Sequence, residues 1–250
     1  MKKTALIIFI ALALLVSTTT VWANNPVLLV GTDAAFVPFE YVDDNNQIVG
    51  FDVDLMNAIG AIIGREVRFM NVNWDGLLTG LQNRNFDVIA AGMTITEERA
   101  QQVNFSDPYF ESVLTIVVHQ NNTDIKVLED LVGKIVSVQI NTTGDFVASD
   151  IEGMRDRDIR RFNTAPDALQ NIVIGATHAA IIDLPVAEAF MAQNPNAPLK
   201  HLGALIGDDF FGLALRKQDT ELLTQINQAL AQIKADGTYD EIFKKWFATN

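Results

Sequence analysis

Apolar and polar positions along this chain switch repeatedly between two periods. "VLLVG" (27–31) is a continuous apolar run that stops at a glycine, as a buried strand does. "FDVDLMNAIGAIIG" follows, with Val53, Met56, Ile59 and Ile63 on one helical face and Gly64 as a stop signal. "VRFMNV" reads as a strand, "WDGLLTGLQNR" as a helix, "FDVIAAG" as a buried strand and "TEERAQQV" as a short helix. The pattern restarts near residue 128. "LEDLVG" reads as a short helix, "KIVSVQ" as a strand and "TTGDFVASDI" as the start of a helix. "IRRF" is a strand, "TAPDALQNIVIG" a helix, and "AAIID" a strand running into the helix "LPVAEAFMAQ". A strand "FFGLALR" (210–216) and two helices, "TELLTQINQALAQIKA" and "TYDEIFKKWF", complete the chain.

Strand–helix alternation of this kind predicts an α/β fold, with mainly parallel sheets flanked by helices. Two segments resemble each other: "GLLTGLQNRNFDVIAAGMT" and "DALQNIVIGATHAAIIDLP". Each carries "LQN" in a helix, then a strand, then a polar residue at the strand's carboxyl end. The likeness predicts two lobes, each presenting a strand end. Open parallel sheets bind ligands beyond those ends, so two facing lobes would enclose a cleft.

The first 23 residues stand outside this alternation. "MKK" is cationic, "TALIIFIALALLV" is apolar, and "STTTVWA" places Val21 and Ala23 at cleavage-signal spacing. A secretory signal peptide has this layout. A membrane anchor is the alternative, but the apolar run is short against the roughly 20 residues a spanning helix needs. Cleavage after Ala23 would leave residues 24–250 and remove Lys2 and Lys3, taking the formal charge from −13 to −15. So acidic a surface argues against nucleic acid or anionic membrane as a partner. The chain has no cysteine. Disulfides, thiolate metal sites, a cysteine nucleophile and a lipidated N-terminal cysteine are thereby excluded. His119, His178 and His201 lack metal-ligand spacing, no Gly-x-Ser-x-Gly elbow occurs, and no catalytic carboxylate pair is marked. No catalytic residue, metal or cofactor is expected.

Several residues carry candidate binding chemistry. In "TITEERAQQ", Thr96 suits a helix cap and Glu97 and Glu98 suit a first turn. Arg99 does not suit it, because a helix N-terminus already carries partial positive charge. Either it pairs with a nearby glutamate at the surface, or it clamps an anion together with Thr94 and the backbone around Gly92. Asp183 ends "AAIID" before "LPVAE"; it either caps the next helix or offers a counter-charge to a ligand cation, and the two roles are compatible. Asp33 follows the first strand as a turn residue or a polar contact. Phe36, Phe39 and Trp74 are core residues or ligand platforms. "QINTTGD" (139–145) joins a strand to a helix through small polar residues and exposes backbone N–H groups, as an anion site or a capping loop does.

With these residues in view, five stretches closely resemble the extracytoplasmic solute-binding proteins (family 3) of polar amino acid uptake systems. They are "GTDAAFVPFEY", "GFDVDLMNAI", "DVIAAGMTITEERAQQVNFSDPYF", "GKIVSVQINTTGDFVASDI" and "ADGTYDEIFKKWF". The likeness is greatest to the glutamine-, arginine- and histidine-binding branch, and it covers nearly all of the mature chain. It implies a type II periplasmic-binding-protein fold in which two lobes joined by two hinge strands close on one free L-amino acid. The lobes would be residues 26–111 with 209–250, and 114–206, with hinge strands near 110–116 and 206–211. By resemblance, Arg99 matches the clamp on the ligand α-carboxylate and Asp183 the acid that binds the α-ammonium. Gly92 and Thr94 match first-lobe contacts to those two groups. Thr142 and Thr143 match the loop that gives backbone N–H groups to the carboxylate. Phe36 and Trp74 match an aromatic pair that sandwiches the side chain, and Asp33 and Gln139 line its far end.

Three positions depart from that pattern. Asn141 stands where many relatives have glycine, and asparagine is the residue that best tolerates left-handed backbone after glycine. Gln139 stands where comparable glutamine binders have lysine, and Ile182 where they have histidine. Both changes remove cationic character near Asp33, which favours a cationic ligand side chain such as that of arginine; a neutral amide also fits, because Gln139 both donates and accepts. The implied role is the periplasmic receptor of an ATP-driven importer, a monomer whose partners are the inner-membrane permease and its ATPase, with micromolar or tighter affinity, about 8 kcal/mol or more. The alternatives are an enzyme resembling cyclohexadienyl dehydratase on the same architecture, and a sensor domain.

Overall fold

The computed structural model describes residues 26–203 and 206–248; the signal segment read at 1–23 lies outside them. The chain opens with β1 (Leu28–Thr32) and then turns through a small antiparallel sheet of β2 (Ala35–Phe36), β3 (Glu40–Val42) and β4 (Ile48–Val49). α1 (Phe51–Ile63) follows, stopped as expected at Gly64, whose left-handed backbone (φ 70°) returns its N–H to Gly60 O. β5 (Val67–Asn71) lies parallel to β1 on one side. A single 3-10 turn, Trp74–Gly76, leads into α2 (Leu77–Gln82), and β6 (Val88–Ile89) lies parallel to β1 on the other side. α3 (Glu97–Gln102) and β7 (Val103–Phe105) complete this part, and β8 (Phe110–His119) then crosses to a second sheet.

There the chain forms β9 (Val136–Gln139), α4 (Thr143–Asp150), β10 (Ile159–Phe162), α5 (Ala165–Val173), β11 (Ala179–Asp183), α6 (Leu184–Gln193) and β12 (Leu199–His201). It returns along β13 (Ile206–Phe211), continues as β14 (Ala214–Arg216), and ends in α7 (Thr220–Ala235) and α8 (Thr238–Phe247). The first sheet has the order β5-β1-β6-β14-β7 and the second β10-β9-β11-β8-β12. Each has a parallel centre, β5-β1-β6 and β10-β9-β11, to which antiparallel strands are added at one side. The result is an α/β molecule of two lobes.

One expectation needs correcting. "FFGLALR" reads as a single strand, but the chain changes sheets within it. Phe210 and Phe211 belong to β13, which pairs with β8, whereas Ala214–Arg216 pair with β6 and β7 in the first sheet. Phe211 and Ala214–Arg216 are all buried although they belong to different sheets, so apolar periodicity cannot register the change. The break falls at Gly212, whose N–H donates to Met93 O at 3.0 Å. The antiparallel strands β8 and β13 are the two crossings between lobes, with Phe110 opposite Phe211 and Leu114 opposite Ile206.

Where these crossings leave the first lobe, aromatic rings from distant parts of the chain converge. Phe39 meets Phe110 at 4.8 Å and Phe211 at 5.2 Å, and Phe110 meets Phe247 of α8 at 4.9 Å. Phe39 and Phe211 are fully buried. Each such ring removes 150–250 Å² from water, roughly, so the crossings are firmly anchored on this side.

Candidate functional site

The carboxyl ends of the parallel strands meet between the lobes. Asp33 follows β1, Gly92 and Thr94 follow β6, Gln139 ends β9 and Asp183 ends β11. Phe36 of β2, Trp74 of the 3-10 turn, Arg99 of α3, and Thr142 and Thr143 at the start of α4 complete the set. All ten residues singled out from the sequence line one cavity. Glu40 and Ala91 line it as well.

Arg99 is at the start of α3, behind a Thr96 cap whose side chain accepts the Arg99 N–H. Its side chain is buried, so the surface alternative is set aside. The guanidinium donates to Thr94 O at 2.9 Å and, across the cleft, to Asn141 O at 3.2 Å. It also lies 5.1 Å from the centre of the Trp74 ring, a cation–π distance. Trp74 Nε1 donates to the same Asn141 carbonyl at 3.1 Å. Trp74 therefore walls the cavity and supports the guanidinium together.

Asn141 has the left-handed backbone that its residue type favours, with φ 59°. Its N–H donates to Asp145 Oδ2 at 3.0 Å, and Arg161 Nε holds both Asp145 oxygens at 2.9 and 3.0 Å. That brace turns the Asn141 carbonyl towards the first lobe. Thr142 caps α4, accepting from Asp145 N and donating to Gln139 O at 2.8 Å. Beside it, a Cβ on Gly144 would sit 2.6 Å from Ile181 O. Only glycine there lets α4 lie close to β11 and bring its first-turn N–H groups to the cavity. Those groups have no partner within a helix.

Asp183 starts α6 without a side-chain capping bond, contrary to that reading of it. Its Oδ1 instead accepts from Ser112 Oγ at 2.8 Å, and the residue is buried. At another part of the wall, Gln139 Nε2 donates to Asp33 Oδ2 at 2.8 Å and to Asn163 O at 3.0 Å. Both amide hydrogens are thus used, and the Gln139 carbonyl oxygen is left as an acceptor. Burial pushes the Asp33 carboxyl up to about 6, against the Gln139 bond, which lowers it. With three bonds crossing it, from Gln139, Trp74 and Arg99, the cleft is shut.

Gly92 shows why the loop after β6 needs its glycine. It has φ +53°, and a Cβ there would meet the Phe36 ring at 2.7 Å. Its N–H donates at 3.0 Å to Asp52 Oδ2, which also takes the Tyr109 hydroxyl at 2.6 Å. Asp52, Tyr109 and Glu40 were not among the residues read from the sequence. Asp52 in "GFDVDL" looks like an ordinary first-turn helix acid. The one signal for Glu40 is an acid within the apolar run "FVPFEY".

The chain matches the model of the bacterial extracellular solute-binding proteins, family 3, over residues 28–249. It is 33% identical over 237 residues to a probable histidine-binding protein of Neisseria gonorrhoeae, covering 90% of this chain and 85% of that one. An ancestral arginine-binding protein, solved bound to arginine and also bound to glutamine, superposes with a TM-score of 0.84 at 45% identity, over 89% of this chain and 98% of its own. The ancestral amino acid-binding protein AncCDT-1, a precursor of cyclohexadienyl dehydratase, superposes with a TM-score of 0.80 at 39% identity, over 88% and 95%. A two-lobe α/β fold, a shut polar cleft and a family match along nearly the whole described chain lead to one conclusion: this protein belongs to the bacterial extracellular solute-binding proteins of family 3.

Proposed function

We propose that this protein is the periplasmic receptor of an ATP-driven importer and that its lobes, residues 26–111 with 209–250 and residues 114–206, close on one free L-amino acid, arginine first and glutamine second. It acts as a monomer, is not an enzyme, and delivers its ligand to an inner-membrane permease coupled to an ATPase. The observation that carries this reading is the placement of Arg99 on one lobe and Asp183 on the other, around one closed cavity. A free amino acid bears both charges, and taking them out of water costs several kcal/mol each unless both are paired. Arg99 with the α4 N-terminus supplies the carboxylate end, and Asp183 the ammonium end. Because they come from different lobes, both pairs form only on closure, and the ligand stabilises the shut state by that differential contact.

Arginine is preferred over glutamine because of what surrounds the Asp33 end. Asp33 and the Gln139 carbonyl are both acceptors, which suits a guanidinium, a group with five donors and no acceptor. Titration calorimetry of the mature chain with the twenty L-amino acids is the test. Micromolar or tighter arginine binding is expected, and no heat with any of them at protein concentrations well above micromolar overturns the reading. Turnover of prephenate or arogenate would move the protein to the enzymes.

Two further results are expected at Asp33. Asp33→Asn lowers arginine affinity at least about tenfold, 1.4 kcal/mol, and leaves glutamine within about threefold, since an amide pairs with either partner. Equal losses for the two ligands would show that Asp33 does not face the side chain. A guanidinium selects the charged carboxylate, so arginine affinity is full well above pH 6 and declines as pH falls through about 6, where the Asp33 carboxyl gains its proton. Glutamine affinity changes less over the same interval.

A further inference from the structure

Glu40 and Asp52 are both fully buried, at 0% exposure. Glu40, on β3, lines the ligand cavity, and Asp52, in the first turn of α1, is held beside it, its backbone N–H donating to O of Phe39, the residue before Glu40, at 2.9 Å. Asp52 Oδ2 accepts the Gly92 N–H and the Tyr109 hydroxyl. Among the described residues, Asp52 Oδ1 and both Glu40 oxygens have no donor. A carboxylate only accepts, so two carboxylates cannot bond to each other. Nor can two such groups ionise together in a buried site. A single proton resolves both conflicts. It belongs on Glu40, because the two donors on Asp52 stabilise Asp52 as the anion, whereas Glu40 receives none.

The other charged and titratable groups around Glu40 point the same way. Asp52 faces it from α1, Asp33 from the end of β1, Asp183 from the end of β11, and the Tyr109 hydroxyl from just before β8. Arg99 lines the same cavity, where it is assigned to the ligand carboxylate. Lys245 of α8 is engaged with Asp54 on α1. Burial pushes the Glu40 carboxyl well above the usual carboxylate range, and Asp52, Asp33 and Asp183 push it further up.

We propose that Glu40 is a positioning residue held as a neutral carboxylic acid, whose O–H donates to Asp52 Oδ1 so that Asp52 can fix the Gly92 peptide in the wall of the ligand cavity. Gly92 is one of the residues assigned to the ligand's charged ends, so this inference rests on the amino acid-binding reading above.

The test has a spectroscopic and a binding arm, both on the full mature chain. The infrared spectrum at about pH 8, far above the ordinary glutamate range, is expected to show the C=O stretch of a buried neutral carboxylic acid. Carbon-13 labelling of glutamate side-chain carboxyls should shift that band, and Glu40→Gln should remove it. No such band, or a band insensitive to the glutamate label, overturns the proposal. The wild-type spectrum and its label shift need neither a ligand nor a variant, so they stand even if no amino acid binds, and the Glu40→Gln spectrum is read on folded protein. In the binding arm, the Glu40→Gln amide donates to Asp52 as the acid does, so arginine affinity stays within about threefold, while Glu40→Ala loses about tenfold or more. A tenfold loss in folded Glu40→Gln would instead make Glu40 an ionised counter-charge to the ligand and overturn the proposal.

Discussion

Arg99→Ala weakens arginine binding by at least about 2 kcal/mol, roughly thirtyfold, in titration calorimetry. The loss is large because the substitution strands a charge. In the shut cleft the α-carboxylate keeps only the backbone N–H groups at the start of α4, whose partial charge is about half that of a full cation. Arg99 also ties the lobes together through Asn141 O, so its removal weakens closure before any ligand is considered. Arg99→Lys should fall between wild type and alanine: a lysine restores the charge but not the planar fork that matches a carboxylate. An Arg99→Ala protein that binds arginine within threefold of wild type removes the clamp from this residue.

At the opposite wall, Asp183→Asn is expected to cost a comparable 2 kcal/mol, roughly, because the buried ammonium then faces a neutral amide. The asparagine side chain can still accept from Ser112 Oγ, which in the native protein bonds Asp183 Oδ1 at 2.8 Å. The fold should therefore tolerate the change, and its thermal midpoint should move little. Comparing arginine with its desamino analogue, which lacks the ammonium, isolates the contact. Asp183→Asn should weaken arginine and leave the analogue nearly unchanged, a coupling read directly from the double-mutant cycle. Equal losses for both ligands would place Asp183 away from the ammonium and leave it a structural role beside Ser112.

Glu40 sets a contrast with these two. Arg99 and Asp183 are legible because each sits at a strand end or helix start where its type is either unexpected or doubly useful. Glu40 lies on β3, the middle strand of a short three-stranded sheet. Its place in the apolar run "FVPFEY" points to burial, but nothing local shows the space it shares with Asp52, Tyr109 and Asp183. The same limit applies to "FFGLALR". Period and apolarity report that a residue is buried, but not which of two sheets buries it, and the change of sheet at Gly212 becomes visible only through its pairing partners.

Much was nonetheless decided locally. Helix stops such as Gly64, the Thr96 and Thr142 caps, the left-handed Asn141 and the order of strands and helices follow from short-range backbone sterics and hydrogen bonding, which depend on a few neighbouring residues. The ten residues that line one cavity are assigned by adding the resemblance to family 3 to such local signals. What needed the folded molecule was every relation between distant segments: two donors from the first lobe converging on the Asn141 carbonyl, Gln139 reaching Asp33, and a buried acid pair under Gly92. Such contacts depend on long-range packing that brings residues up to about a hundred positions apart within a few ångströms, as Gln139 and Asp33 are. Charge state belongs with them, because a carboxyl's proton is set by the burial and charges around it in space and not by its neighbours along the chain.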